Sequence, residues 1–191
     1  MLIIVTYLYF CSTICIDAEL KQKGMKIREV TSEDAKVLSE IYNHYIEHTA
    51  ITFETSPVSV QEMQQRINDV QESGLPYYVG ELDGKVVGYY YMHKWNNRCA
   101  YSSTKEVTVY LDKDYKGKGL GSTLYKHLLE HVNRENTHVL LAGICIPNES
   151  SVHLHEKFGF VQSSHMKEVG RKFGEWRDVG HWILNLENQP K

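Results

Sequence analysis

The sequence predicts an α/β chain of the α+β kind: a mixed, mostly antiparallel sheet flanked by helices. Three observations point there. From Met25 onward, strand-like and helix-like segments follow the order β-α-α-β-β-β-α-β-α-β-β. Asp83-Gly84 separates two strand-like runs as a two-residue hairpin turn, which makes those strands antiparallel neighbours. A glycine-rich stretch, Lys116-Gly117-Lys118-Gly119-Leu120-Gly121-Ser122, joins a strand to a helix.

The elements follow in order. Lys26 to Val30 reads as the first strand. Thr31-x-x-Asp34 resembles a capping box, heading a helix with Leu38, Ile41, Tyr42, Tyr45 and Ile46 on its apolar face. Ser59-x-x-Glu62 heads a second helix carrying Met63, Ile67 and Val70, which Gly74-Leu75-Pro76 stops. Tyr77 to Leu82 and Lys85 to His93 form the hairpin, and Asn96-Asn97 marks a further turn. Glu106 to Leu111 precedes the glycine loop, whose helix has Leu120, Leu124, Leu128 and Val132 on one stripe. Val139 to Ile146 is a continuous apolar run, hence a buried strand. Pro147 to Ser150 opens a short helix ending at Phe158 and Gly159, with Gly159 as its cap. Phe160 onward and Trp182 to Leu186 supply late strands.

A chain of 191 residues suits one compact domain, assigned to residues 25–191. A net charge of -3 carries no nucleic-acid signature. Four cysteines without paired spacing make neither a disulfide framework nor a zinc site, and no metal is expected. Cys145 reads as a buried core thiol. His153 and His155 lie two apart in a helical pattern, so they do not share a face for chelation. Leu2 to Ile16 is nearly all apolar, yet shorter than the roughly 20 residues of a membrane span. It also lacks a basic n-region and a small-residue cleavage site. Residues 1–24 therefore read as an upstream extension or start-site artefact, possessing no membrane role.

A glycine-rich turn feeding a helix suits a phosphate, because backbone approaches closely and the first helical N–H groups have no partner within the helix. Lys116 and Lys118 add charge. The nucleotidase loop G-x-x-x-x-G-K-[ST] is absent, and the alternating glycines do not complete G-x-G-x-x-G. The stretch does fit Q/R-x-x-G-x-G as Lys116-x-x-Gly119-x-Gly121, with Lys in first place. Downstream, Asn148 to Phe160 fits N-x-x-[AS]-x-x-[LM]-[YH]-x-x-x-G-[FY]. The two patterns together resemble the GNAT acetyltransferase superfamily. Ile41 to Tyr45, Thr52 to Thr55, Gly119 to Leu129 and Trp176 to Trp182 are similar to the phosphinothricin N-acetyltransferases, over about residues 26–186.

The resemblance implies the GNAT fold, acetyl-CoA as co-substrate, and acetylation of the amino group of a small amino acid or analogue. It implies coenzyme A contacts from Lys116, Gly117, Lys118, Gly119, Gly121 and Ser122. The pantetheine arm would lie along the strand edge at Val107, Val109 and Tyr110, with Asn148 and Ser151 nearby. A backbone N–H around residues 107–109 would stabilise the oxyanion. Glu106 aligns as the base, with an exposed strand-end carboxylate as the bland alternative. His155 stands where many members place a tyrosine acid, the alternative being a helix histidine bonded to backbone. Asn148 also fits a plain helix cap. Phe53, Glu54, Trp95, Arg98, Tyr101, Arg171, Trp176 and Asp178 resemble the acceptor side; the alternative makes the aromatics core or dimer interface and the arginines surface charges. The implied setting is a cytoplasmic homodimer acting on a small-molecule amine, with no nucleic acid or membrane partner. Acetylation of a protein N-terminus or lysine, and acyl-CoA sensing without turnover, are the competing readings.

Overall fold

The computed structural model describes residues 24–188; the extension expected at 1–24 lies, apart from Gly24, outside them. The element order is the one expected: β1 (Lys26–Glu29), α1 (Ala35–His48), α2 (Val60–Glu72), β2 (Tyr77–Leu82), β3 (Lys85–Lys94), β4 (Thr104–Leu111), α3 (Leu120–His131), β5 (Val139–Ile146), α4 (Glu149–Lys157), β6 (Val161–Lys172) and β7 (Glu175–Asn185). Among the described residues, no helix is long and apolar enough to cross a membrane.

Local chemistry explains the boundaries. Thr31 and Asp34 form the expected reciprocal capping box ahead of α1. The Ser59 hydroxyl accepts from the Glu62 N–H at 3.1 Å and starts α2. Asp83 (φ 50°) and Gly84 (φ 75°) are both left-handed, as a tight hairpin turn requires.

The strands form one seven-stranded sheet in the order β1-β2-β3-β4-β5-β7-β6. All neighbours run antiparallel except β4 and β5. Those two pair only through residues 104–106 and 139–141. Beyond that point β4 stays zipped to β3 as far as Leu111, and β5 to β7 as far as Ile146. The sheet therefore parts down its middle, and residues 107–111 turn a backbone edge toward the gap.

Alternation along the strands divides the core in two. Tyr90, Met92, Val107, Leu140, Ala142, Ile144, Trp182 and Leu184 pack with Leu124, Tyr125 and Leu128 of α3. On the other face, Tyr77, Val79 and Tyr89 pack with Leu38, Ile41, Tyr42, Tyr45 and Ile46 of α1 and with Met63 and Ile67 of α2.

The late strands exceed the sequence expectation. β7 begins at Glu175 rather than Trp182, and the β6–β7 turn falls at Phe173 (φ 53°) and Gly174 (φ 81°). Two properties hid this hairpin. Phenylalanine is not a usual left-handed turn residue, and β6 is a mostly exposed edge strand with no apolar alternation.

The α1–α2 connection is tied down twice. Asn43 of α1 donates through Nδ2 to the Val58 carbonyl at 2.9 Å and accepts from the Val58 N–H through Oδ1 at 2.7 Å. Buried Lys172, at the end of β6, donates to the Thr52 carbonyl at 2.7 Å. Next to it Phe53 lies against Gly170, where an added Cβ would stand 2.5 Å from the ring. Asn43→Ala strands two backbone groups of the connection, so a loss of about 1–3 kcal/mol in stability is expected. A urea midpoint equal to that of the parent would show that the Asn43 clasp carries no stability.

Candidate active site

β4 delivers the chain to the glycine loop. Tyr45 donates to the Leu111 carbonyl at 2.5 Å, pinning the strand end to α1. Asp112 then shapes a short turn by accepting from the Asp114 N–H at 2.9 Å. Gly117 (φ 73°) and Gly119 (φ 77°) take left-handed conformations that disfavour any side chain. Gly119 is the cap of α3 and has no side chain with which to close it. The N–H groups of Leu120, Gly121 and Ser122 find no acceptor among the described residues. Three uncommitted donors at the positive end of a helix make an anion site.

The surrounding lysines are already oriented. The Lys116 ammonium lies 4.4 Å from the centre of the Tyr45 ring. Lys118 donates to the Asp114 carbonyl at 2.6 Å. A third cation escaped the sequence reading: Lys157 of α4 donates to the Ser122 hydroxyl at 3.1 Å. Only the packing of α4 beside α3 reveals it.

Across the gap, Asn148 caps α4, its side-chain oxygen accepting from the Ser151 N–H at 3.3 Å. The Ser151 carbonyl in turn receives the Nδ1–H of His155 at 2.7 Å. A carbonyl only accepts, so Nδ1 carries the proton and Nε2 of the neutral ring is an acceptor. The ring is 7% exposed and lies edge-on to Tyr125 and Phe160, at centroid distances of 5.0 and 5.3 Å. Burial pushes its basicity below the ordinary imidazole value, outweighing the carbonyl bond.

Glu106 stands at the last rung that joins β4 to β5, on the face shared with Thr108 and Tyr110. Its carboxylate meets one histidine, and shares a small space with a second, that the sequence reading did not connect with it. His93, opposite on β3, places Nε2 3.8 Å from Oε2. Toward β5 the carboxylate leans over Gly143: a Cβ there would lie 3.3 Å from Oε1 and 3.9 Å from Nε2 of His181. Beside His93, a cavity of about 240 Å³ runs under α1 and α2, lined in part by Tyr42, Tyr77, Tyr89 and Tyr91.

The residues expected on the acceptor side divide into three groups. Phe53 and Glu54 sit in the pinned α1–α2 connection. Glu54 is already engaged: Arg66 binds both of its oxygens, at 2.7 and 3.0 Å, and Tyr42 donates at 2.8 Å. The Arg66 bonds hold its carboxyl below the usual range. Trp95 and Tyr101 meet edge to face at 4.9 Å, with Arg98 between them in the β3–β4 connection. That group adjoins the start of β4, close to Glu106. Arg171 and Trp176 pair with each other across the β6–β7 hairpin, the guanidinium 5.6 Å from the ring centre. Trp176 is seven residues from Ile183, which pairs with the Leu141 that faces Glu106, or roughly 23 Å along the strand. The fold therefore does not bring these two to Glu106 within one chain. Asp178 is committed elsewhere, binding His165 at 2.6 Å and the Glu168 N–H at 2.9 Å.

The model of the acetyltransferase (GNAT) domain fits residues 27–181. The chain belongs to the GNAT acetyltransferase family. It is 36% identical to a phosphinothricin N-acetyltransferase of Streptomyces viridochromogenes, over 87% of this chain and 91% of that protein. It is 34% identical to an L-methionine sulfoximine/L-methionine sulfone acetyltransferase of Salmonella typhimurium, over 85% and 95% of the two chains. Its fold superposes with a TM-score of 0.83 on a Salmonella typhimurium acetyltransferase solved with its cofactor acetyl-CoA, 33% identical, covering 88% of this chain and 97% of that one.

The buried imidazole of this acetyltransferase makes stability depend on pH. The folded state keeps His155 neutral, while the unfolded chain protonates it near the ordinary value of 6.5. The contribution is complete above that value and drains away as pH falls toward the lower, folded one. The denaturation midpoint should therefore drop between about pH 7 and about pH 5, and His155→Phe should flatten the drop. Identical slopes for parent and variant would mean that burial does not hold the ring neutral.

Proposed function

We propose that this acetyltransferase moves the acetyl group of acetyl-CoA to the primary amine of a small amino acid or analogue, of the phosphinothricin and methionine sulfoximine or sulfone type, by direct attack in a ternary complex. One observation carries the donor half. An unpaired strand edge at 107–111 leads straight into a helix start with three free N–H donors. A linear arm that ends in a diphosphate fits that slot, with pantetheine amides bonding to Val107, Val109 and Tyr110 like another strand. Gly117, Gly119, Gly121 and Ser122 receive the diphosphate, and Lys116, Lys118 and Lys157 neutralise it. The thioester then reaches the fork beside Glu106. The names of the similar enzymes support the acceptor class.

In the reaction, Glu106 takes a proton from the acceptor ammonium, directly or through water. The freed nitrogen attacks the thioester carbonyl, the C–N bond forms and the C–S bond breaks. Coenzyme A leaves as thiolate, and backbone N–H groups at 107–109 hold the transient oxyanion. His155 presents a lone pair at Nε2, so it must take a proton before it can pass one to the thiolate. Val169, Phe173 and Trp176 are exposed on the edge hairpin, which supports a homodimer built there. Use of acetyl-CoA supports a cytoplasmic setting.

A thiol-release screen of amino acids, analogues, polyamines and peptides tests the acceptor class. Methionine sulfone and phosphinothricin should rank first, and turnover confined to peptides would refute the small-acceptor reading. Gly119→Val should abolish acetyl-CoA binding by placing a branched side chain at a left-handed position in the phosphate seat; undiminished affinity would displace the donor site. Glu106→Gln should cut kcat/KM by about 10²–10⁴ and steepen its rise with pH. An unaltered profile would remove Glu106 as base.

A further inference from the structure

The carboxylate of Glu106 does not stand alone, and the arrangement around it defines a seat that the donor site does not explain. Gly143 is the first β5 residue on this face beyond the last rung joining β4 and β5. Its missing side chain leaves a gap at the mouth of the split. Glu106 Oε1 and His181 Nε2 border that gap, 3.3 and 3.9 Å from the point a Cβ would occupy. His181 is held there by sheet register, directly opposite Gly143, and by a 2.7 Å bond between Nδ1 and the Ser164 hydroxyl. An alanine at 143 would fill the gap, crowding Glu106 Oε1 and coming into contact with the His181 ring. The small residue and the histidine beside it thus make one feature.

We propose that Gly143 and His181 form the seat of the acceptor's amino group. This rests on the reading of Glu106 as base. The ammonium sits over Gly143, donating one N–H to Glu106 and another to Nε2 of His181, whose Nδ1–H is donated to Ser164. Glu106 accepts the first proton, and the nitrogen, still hydrogen-bonded to His181, turns the lone pair so freed toward the thioester in the split. When the tetrahedral adduct collapses, the C–S bond breaks and the nitrogen loses its second proton. One proton reaches the thiolate and one leaves to solvent for each acetyl group transferred. His181 is a substrate-binding and positioning residue, and the seat admits an unbranched primary ammonium. A secondary ammonium spends both of its N–H groups on Glu106 and His181, so its extra carbon is forced to the remaining position, on the side of the thioester.

Nε2 of His181 holds the ammonium only through its lone pair, which a protonated imidazole lacks. The other titratable groups on the surrounding elements are His93 on β3, Glu106 on β4, Cys145 on β5, the His165–Asp178 pair and Lys172 on β6 and β7, and the Glu54–Arg66 pair from the helical side. Of these, Glu106 supplies the atom nearest the space over Gly143.

Two variants of the full chain test the seat, with methionine sulfone and its N-methyl derivative as probes. His181→Phe keeps a ring of similar shape but removes the acceptor nitrogen. Its kcat/KM for the primary amine should fall about ten- to a hundredfold, as for a lost hydrogen bond to a charged group, with acetyl-CoA affinity unchanged. Its acid-side decline should also shift, and its discrimination against the N-methyl amine should shrink. Gly143→Ala should raise the acceptor KM while leaving the acetyl-CoA affinity alone. A His181→Phe pH profile superimposable on the parent's, or an acceptor KM untouched by Gly143→Ala, overturns the proposal. Glu106→Gln separates the two readings. If it changes the profile while the seat variants do not, the seat falls and the base stands; if it too leaves the profile unaltered, the base reading falls.

Discussion

The parting of β4 from β5 is the constraint on which the site depends. Three paired residues hold the strands together, and then each follows its outer neighbour: β4 with β3, β5 with β7. A strand edge buried without partners is costly, since each unmatched amide or carbonyl loses its bond to water and gains nothing. A ligand of strand-like shape would complete such an edge, which is the role proposed for the donor's arm. Tyr45, bonded to the Leu111 carbonyl, holds the far end of β4 at a fixed distance from α1 and so fixes the start of the glycine loop.

Charge is distributed in keeping with that geometry. The helix start offers free donors and is approached by Lys116, Lys118 and Lys157. At the fork the sign reverses, with a carboxylate that suits an ammonium. The two regions are separated by the length of β4 beyond its last rung, roughly 16 Å at strand rise. That span suits a donor anchored by its diphosphate and reacting at its opposite end.

Much of this was legible in the residues themselves. The Leu120, Leu124, Leu128 stripe, the capping residues Thr31 and Ser59 and the Asp83-Gly84 turn are local signals, and each gave the element it implied. The glycine loop was readable because left-handed positions leave a compositional mark. The surroundings of Glu106 were not readable. His93 reaches it through β3–β4 pairing, and a β5–β7 register linking residues 38 apart (Gly143 opposite His181) brings a second histidine to the same space. No local pattern encodes such a register. Glu54 illustrates the opposite failure: its motif was visible, but not Arg66 and Tyr42, which occupy both its oxygens. The Phe173-Gly174 hairpin was missed because an exposed edge strand has no buried face to write a period-two pattern.

The two-sided core has a consequence for how such a protein can change. One face of the sheet packs α3, whose start carries the glycine loop; the other packs α1 and α2 and carries Glu106 with its tyrosine-lined cavity. Successive residues of one strand point to opposite faces, so a substitution at Tyr91 or Thr108 alters one compartment while Val107 and Val109 leave the other intact. The sheet acts as a partition between inheritance and novelty. Side chains on the Glu106 face can change without disturbing the packing of α3 and the glycine loop at its start.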